Sequence, residues 1–424
     1  MRMTDLKIRL SFDGQVNAAL NNEFPCYIFE MNDYIDVVSL REAVCFAIEE
    51  HPIFHTKLIK EKKVFYLIYN ELKPRVENSL WDKKIKYGTK EWNYYPWIIS
   101  VKDKKLLFTC AHAICDGTGA VEFLKTVLTK YFVIKGLISD KILDKQKKLE
   151  EDIESAIENS FDKNAGENVL SPYKRSEKKP CPIKKSSFYK GAMNKGIWQF
   201  KISQKEIQKL ANGTETSTFA VIATILAQSL QNTCAIETGN IQIMLPVNLR
   251  RMYGSKTDMG FVHTASLNYN CEKCSGKSLE LITTGFRSQL DLIIDKEYMD
   301  YVLFEDKKTT QLFLKHPIMM AFAKMAFYNM LYSPKASIVY THLTSLGIDD
   351  ELKPYIKDFY ISGPSVFSPL IVAMASTYND EISIGMGVSL KADYIKNMEA
   401  VLKKYDISYS LKQNEWLPEI FYLK

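Results

Sequence analysis

The short segment His112-Ala-Ile-Cys-Asp116-Gly117 combines an imidazole with a nearby carboxylate and a glycine. This combination could serve in proton transfer. An imidazole can remove a proton from a hydroxyl or an amine near neutral pH. A carboxylate four residues later can accept charged hydrogen bonds that hold the turn, and the glycine allows a sharp bend without a Cβ penalty. The pattern predicts a general base at His112. The alternative is a packed core histidine beside an ordinary Asp-Gly turn.

The flanking sequence predicts how this segment is held. Residues 105–111 are almost continuously apolar, which is typical of a strand covered on both faces. After Gly117, apolar side chains recur with the period of a helix, at Ala120, Val121, Leu124, Val127, Leu128 and Tyr131. His112 therefore lies between a buried strand and a helix. From there its ring can face a cleft while its backbone stays fixed.

Similar elements occur twice along the chain. A strand-like run at 25–31 precedes a capping box at Ser39–Glu42, where we predict that a helix begins. A second strand-like run at 196–202 precedes another capping box at Ser203–Glu206. This repetition predicts two related α+β units on one chain.

The stretch between these units has a different composition. Residues 174–185 are basic, carry prolines and contain few apolar side chains, which is typical of a linker. We therefore predict a first half at 1–170, a basic crossing linker at 171–195 and a second half at 196–424. A cleft between two such halves is a usual place for a substrate.

Four segments, taken in order, resemble a known superfamily. Ala111–Gly117 is similar to the HHxxxDG motif of thioester-dependent acyltransferases. These include chloramphenicol acetyltransferase, nonribosomal-peptide condensation domains and alcohol acetyltransferase-like proteins. The stretch from Tyr34 to Phe54 resembles their opening helix, and Ile243–Arg250 resembles their PVNLR strand. Thr344–Gly347 resembles the SNLG segment of the alcohol acetyltransferase-like branch.

The resemblance implies a fold and an activity. The fold would be α+β, with two chloramphenicol-acetyltransferase-like sandwich halves that form a V-shaped pseudo-dimer around a cleft or tunnel. The activity would be transfer of an acyl group from a thioester to an alcohol or amine. The co-substrate would be acyl-CoA or acyl-phosphopantetheine, with no permanently bound cofactor. Because one chain supplies both halves, we expect it to function as a monomer.

The resemblance also implies roles for individual residues. His112 matches the second, catalytic histidine of the motif and would deprotonate the acceptor. Asp116 would be structural and form a salt bridge to an arginine, for which Arg250 is the best-placed candidate. The alternative for Arg250 is a surface position. Gly117 would keep the donor channel open beside the turn.

Other positions are less fixed by the resemblance. The family stabilises the oxyanion with a hydroxyl or backbone donor from the second half, and Thr344 and Ser345 are the candidates. They would otherwise be ordinary loop hydroxyls. The first histidine of the motif is Ala111 here, so any positioning role of that histidine is lost. The DFGWG motif of plant-type acyltransferases is absent from the sequence.

Composition excludes several other classes of protein. The 424 residues include 56 Lys and Arg against 50 Asp and Glu, and this small excess does not favour nucleic-acid binding. No apolar run approaches the roughly 18 residues of a membrane span, and no signal-peptide core is visible. The eight cysteines are scattered, and Cys271-x-x-Cys274 lacks the further ligands of a metal site. We expect reduced thiols, no metal and a cytoplasmic protein.

Two other functions remain compatible with the sequence. A free-standing condensation enzyme would form amides from thioesters on an acyl carrier protein, and the basic cluster at 174–185 is the only sign of a surface for such a partner. A catalytically silent relative would act in binding or recruitment. Retention of His112 and Asp116 argues against the silent relative, because an inactive site has no physical need for that pair. For the enzyme we expect a small-molecule acceptor.

Overall fold

The structure is a computed structural model of the whole chain. It describes residues 5–20, 23–62, 64–78, 87–146, 150–172, 178–183, 197–316, 335–344, 346–363, 371–388, 390 and 393–414. The strands described are β1 (Lys7–Arg9), β2 (Glu23–Met31), β3 (Thr56–Glu61), β4 (Val64–Tyr69), β5 (Val76–Asn78), β6 (Trp97–Lys102), β7 (Lys105–Ala111), β8 (Ile197–Ser203), β9 (Asn240–Asn248), β10 (Val262–Asn270), β11 (Ser337–Leu343), β12 (Ile356–Ser362), β13 (Ile371–Tyr378), β14 (Glu381–Val388) and β15 (Tyr409–Asn414).

The helices described are α1 (Phe12–Leu20), α2 (Val37–Glu50), α3 (Gly117–Ile134), α4 (Lys141–Gln146), α5 (Glu150–Ala156), α6 (Ser160–Asn164), α7 (Gln204–Gly213), α8 (Thr218–Cys234), α9 (Arg250–Tyr253), α10 (Cys271–Cys274), α11 (Leu279–Ile293), α12 (Lys296–Lys315) and α13 (Tyr394–Lys404). Across the ranges described above, no helix combines the length and apolar character needed to cross a membrane.

The strands form three sheets. The largest has the order β10-β9-β11-β13-β14-β8-β15, the second β12-β2-β7-β6-β5, and the third β1-β4-β3. Most neighbours are antiparallel, but β11 runs parallel to β9 and β13, and β5 runs parallel to β6. The strand β12 comes from the second part of the chain and pairs with β2 of the first part. The two larger sheets are therefore linked by an exchanged strand.

Each large sheet packs on its own helices. In the first lobe, α2 and α3 cover the five-stranded sheet, and Phe54 stacks on Phe123 with ring centroids 4.1 Å apart. The indole of Trp97 donates to the carbonyl oxygen of Phe54 at 2.8 Å, which satisfies a buried polar group in this core. In the second lobe, α8 is buried against the seven-stranded sheet. The predicted two-lobed α+β architecture is confirmed. The predicted boundaries at 170 and 195 stay a prediction, since most of the linker lies outside the described residues.

The two predicted helix starts have different outcomes. The helix α2 begins after Asp36, whose carboxylate accepts hydrogen bonds from the amides of Val38 and Ser39. The predicted start at Ser39 is therefore wrong, because a charged carboxylate three residues earlier takes the capping position. The hydroxyl of Ser39 donates to Asp36 instead, and this bond together with the backbone donors lowers the pKa of Asp36. The predicted cap at Ser203 is confirmed by its hydrogen bond from the amide of Glu206.

Candidate active site

His112 lies one residue beyond the carboxyl end of β7 and is half-buried. Its Nδ1 is 3.2 Å from the carbonyl oxygen of Cys115. A carbonyl can only accept, so this contact requires the proton on Nδ1. The neutral ring then carries its free lone pair on Nε2. That nitrogen is available to take a proton from another molecule.

Asp116 is buried and its two carboxylate oxygens are fully engaged. Oδ1 accepts from the amides of Thr118 at 3.0 Å and Gly119 at 3.1 Å, which caps α3. Oδ2 accepts from Nη1 of Arg250 at 2.7 Å and from the amide of Phe261 at 2.9 Å. The carboxylate thus joins the turn after His112 to the second lobe. It has no lone pair directed at a substrate.

The guanidinium of Arg250 is as fully bonded as the carboxylate it meets. Nε donates to the carbonyl oxygen of Thr257 at 2.8 Å, and Nη2 donates to that of Met259 at 2.5 Å. Arg250 is 9% exposed and Asp116 is 4% exposed, so the ion pair lies in a region that water screens weakly. The structure brings these two predicted residues together. Arg250 is not a surface arginine.

Residues 257–261, which we call the bridging segment, connect the two lobes around this pair. Within it, Oδ2 of Asp258 is 2.8 Å from Nδ1 of the buried His51 in the first lobe. The carbonyl oxygen of Asp258 also approaches Gly119 so closely that a Cβ on Gly119 would lie 2.1 Å from it. Only glycine fits there. No motif in the sequence marks this segment.

Gly117 begins α3 and is half-buried. Its φ is outside the left-handed region, so the turn does not depend on the conformational freedom of a glycine at this position. A Cβ here would lie 3.6 Å from a methyl group of Leu343 and 3.6 Å from the hydroxyl of Tyr27. Both are ordinary contact distances. The end of β11 and the side chain of Tyr27 therefore meet beside the turn that carries His112.

Of the two predicted oxyanion donors the structure describes Thr344, which follows Leu343 at the end of β11. Thr344 is exposed and lines a cavity of about 360 Å³ that includes Gln204, Gly347, Lys353 and Asp380. Neither His112 nor Asp116 lines this cavity. Ser345 lies outside the described residues.

The thiol within the motif is inert in this environment. Sγ of Cys115 is 3.5 Å from Sγ of Cys110, and both side chains are buried. Burial raises the pKa of Cys115 well above its ordinary value, which keeps the thiol protonated and a poor nucleophile. Among the described residues, no group of three or more His, Cys, Asp or Glu side chains is arranged to hold a metal ion.

A half-buried histidine near the end of β11 predicts a pH effect on stability. Nε2 of His342 is 3.0 Å from Oγ1 of Thr377, and burial lowers the pKa of His342 to about 4. In the unfolded chain this histidine protonates near its ordinary pKa of about 6.5, so the unfolded state binds more protons between these values. We expect the free energy of unfolding to fall by about 2 kcal/mol from this residue between pH 7.5 and pH 5.

Urea unfolding at the two pH values measures this loss. The matched control is His342→Gln, whose amide can still contact Thr377 but does not titrate. The loss of stability between the two pH values should be smaller in the variant by the amount given above. An equal loss of unfolding free energy in both proteins would show that the pKa of His342 does not differ between the folded and unfolded states.

Known proteins match this chain in their three-dimensional structure. No family model matches the sequence, and no curated protein sequence matches it. The structure of TRI101 from F. sporotrichioides in complex with coenzyme A and T-2 superposes with a TM-score of 0.65 at 12% identity. That alignment covers 96% of this chain and 100% of that chain.

Two further solved structures share the architecture. The trichothecene 15-O-acetyltransferase TRI3 from Fusarium sporotrichioides matches with a TM-score of 0.62 at 10% identity, over 94% of this chain and 95% of that chain. The epimerization domain from the third module of tyrocidine synthetase B matches with a TM-score of 0.58 at 14% identity, over 94% of this chain and 95% of that chain. The chain shares the two-lobed fold of these three structures. The resemblance predicted from the sequence is confirmed at the level of this fold.

Within this fold, the first lobe supplies the histidine turn and the second supplies the arginine and the bridging segment. Neither lobe alone contains every group that holds His112 in place. The contacts between the lobes are therefore part of the candidate site.

Proposed function

We propose that this chain is an acyltransferase that moves an acyl group from acyl-CoA to a hydroxyl or amino group, with His112 as the general base. The observation that carries the proposal is the free Nε2 of a half-buried histidine, fixed by Cys115 and by the turn that Asp116 holds. The fold supports it, since structures of the same fold were solved with coenzyme A and small-molecule ligands.

The residues present are sufficient for direct transfer. Nε2 of His112 takes the proton of the acceptor as its oxygen or nitrogen attacks the thioester carbonyl carbon. The carbonyl oxygen becomes an oxyanion in a tetrahedral intermediate. Collapse of the intermediate breaks the carbon–sulfur bond, and the thiolate takes the proton back from His112. The acyl group passes to the acceptor without an acyl-enzyme.

The remaining predicted residues have supporting roles in this proposal. Asp116 and Arg250 hold the turn and the lobes together and take no part in proton transfer, because all their polar atoms are engaged. The absence of a side chain at Gly117 leaves space beside Leu343 for the donor. Thr344 and Ser345 stay candidate oxyanion donors, and the position of the preceding Leu343 beside Gly117 supports Thr344 as a candidate. One chain supplying both lobes supports function as a monomer.

The experiment that tests the function is an assay of thiol release by the purified chain. Acyl-CoA esters of several chain lengths are offered with a panel of small alcohols and amines, and free coenzyme A is followed with a thiol reagent. Acceptor-dependent release with a mass-detected ester or amide product is the expected result. The outcome against the proposal is no release with any pair.

A matched arm separates the alternatives. The same acyl groups are offered on a phosphopantetheine-bearing carrier protein. Transfer only from the carrier would favour a condensation enzyme. Consumption of neither donor, with capture of a protein partner, would favour a binding or recruitment role.

A further inference from the structure

Tyr27 places a hydroxyl next to the turn that carries the candidate base. The residue lies in β2, the strand that pairs with β7, and its side chain is 1% exposed. Its ring packs against Phe108 with centroids 5.9 Å apart. The hydroxyl is directed at Gly117, where an added Cβ would lie 3.6 Å from it. Gly117 itself is half-buried, so a ligand can reach the space beside it.

No group in the described part of the chain forms a hydrogen bond with this hydroxyl. Buried hydroxyls normally have a partner, because removing one from water without replacing its hydrogen bonds is unfavourable. The nearby carboxylate of Asp116 does not serve, since its oxygens already accept four other hydrogen bonds. The ring of Tyr27 is therefore buried, while its hydroxyl oxygen, which is not one of the fully buried polar atoms that lack a partner, stays open to the space beside Gly117.

The chemistry of its surroundings makes this hydroxyl a donor. Burial raises the pKa of Tyr27 well above its ordinary value, and the nearby groups of Cys110 and Asp116 raise the pKa further. The phenol therefore stays protonated in any assay near neutral pH. A protonated phenol donates to an oxygen that carries negative charge, and it gains most when that charge develops in a dry site.

We propose that Tyr27 is a further catalytic residue, whose hydroxyl donates a hydrogen bond to the thioester carbonyl oxygen bound beside Gly117 and stabilises the oxyanion. The proton stays on the phenol throughout, and no bond to Tyr27 forms or breaks. The inference rests on the proposed acyl transfer at His112. It differs from the sequence-based prediction by placing the donor in the first lobe, on β2, rather than in the loop that contains Thr344.

The carbonyl oxygen is the substrate atom that fits this donor. In the proposed reaction the acceptor gives its proton to His112 and its lone pair to the carbonyl carbon. The carbonyl oxygen gains a full charge during the same step and is not otherwise bonded. A donor fixed in a strand can be ready for that charge without reorganisation.

The test is the variant Tyr27→Phe, which removes one oxygen and keeps the ring. We expect kcat for acceptor-dependent thiol release from acetyl-CoA, or from the best donor of the panel, to fall about 10²-fold. KM for the thioester should change little, because the bond strengthens as charge develops. The melting temperature should stay the same or rise, because the lost hydroxyl has no hydrogen-bond partner among the described residues. A residue with only a packing role would not give this combination.

The matched control is Tyr360→Phe. Tyr360 is buried in β12 of the same sheet and packs on the opposite face, with Cys26 and Ile28. Its kcat should equal that of the unmodified chain.

The outcomes distinguish this proposal from the proposed function. A wild-type chain that transfers no acyl group overturns the acyl transfer and the role of Tyr27 together. An active chain that loses activity in His112→Ala but not in Tyr27→Phe overturns the role of Tyr27 alone. A Tyr27→Phe variant that loses stability and activity in proportion also overturns it, since the hydroxyl would then be structural.

Discussion

Replacing His112 by alanine is expected to lower kcat for acyl transfer by about 10²–10⁴-fold, the usual contribution of a general base. The imidazole makes one described hydrogen bond, to the carbonyl oxygen of Cys115, so its loss should leave the fold intact. Residual transfer should remain detectable, because holding two reactants together supplies a large share of the rate by itself. Thiol release under saturating donor and acceptor measures the effect.

The control for this substitution is His316→Ala, which removes an exposed histidine at the end of α12. Its kcat should equal that of the unmodified chain. Circular dichroism and the melting temperature should be the same for all three proteins. An unchanged kcat in His112→Ala would remove this residue from the mechanism and leave the fold without an assigned base.

Substitution of Arg250 by leucine is expected to cost about 3–5 kcal/mol of the free energy of unfolding, the usual cost of breaking a buried ion pair from one side. The carboxylate of Asp116 would keep its charge without the guanidinium at 2.7 Å. The carbonyl oxygens of Thr257 and Met259 would lose their donors as well. Urea unfolding with an unchanged m-value would measure the loss directly.

Two further variants make the interpretation of this loss specific. Arg251→Leu removes a neighbouring exposed arginine and should change stability by less than about 0.5 kcal/mol. The double variant Asp116→Asn with Arg250→Leu should recover part of the lost stability, because no uncompensated charge stays buried. If the double variant loses more free energy of unfolding than the two single variants lose together, the ion pair is not the source of the effect.

Some parts of the site could be predicted because local sequence determines them. The strand before His112 spans Lys105–Ala111 as its apolar run predicts, since a strand buried on both faces needs little else to specify it. The start of α2 was predicted three residues late, because Ser39 matches a capping pattern while Asp36 offers the stronger acceptor. The contact between Asp116 and Arg250 followed from family resemblance and not from spacing.

Other parts depend on contacts that no local pattern marks. The bridging segment acts through the carbonyl oxygens of Thr257 and Met259 and the amide of Phe261. Backbone groups are the same in every residue, so side-chain identity does not reveal such a role. The role of Tyr27 could not be predicted from the sequence for a related reason. A tyrosine in an apolar strand looks like core, and only the tertiary approach of Gly117 gives its hydroxyl a direction.

The exchanged strand β12 limits how this protein can be divided. A fragment that ends before residue 196 would lack the strand that pairs with β2 from Cys26 to Met31. The unpaired backbone of β2 would then be a template for strand addition by other molecules. Such a fragment should aggregate or exchange segments between copies rather than behave as an independent module. Recombination at the midpoint of the chain would disrupt the β2–β12 pairing in both products, so we expect the two lobes to fold as one unit.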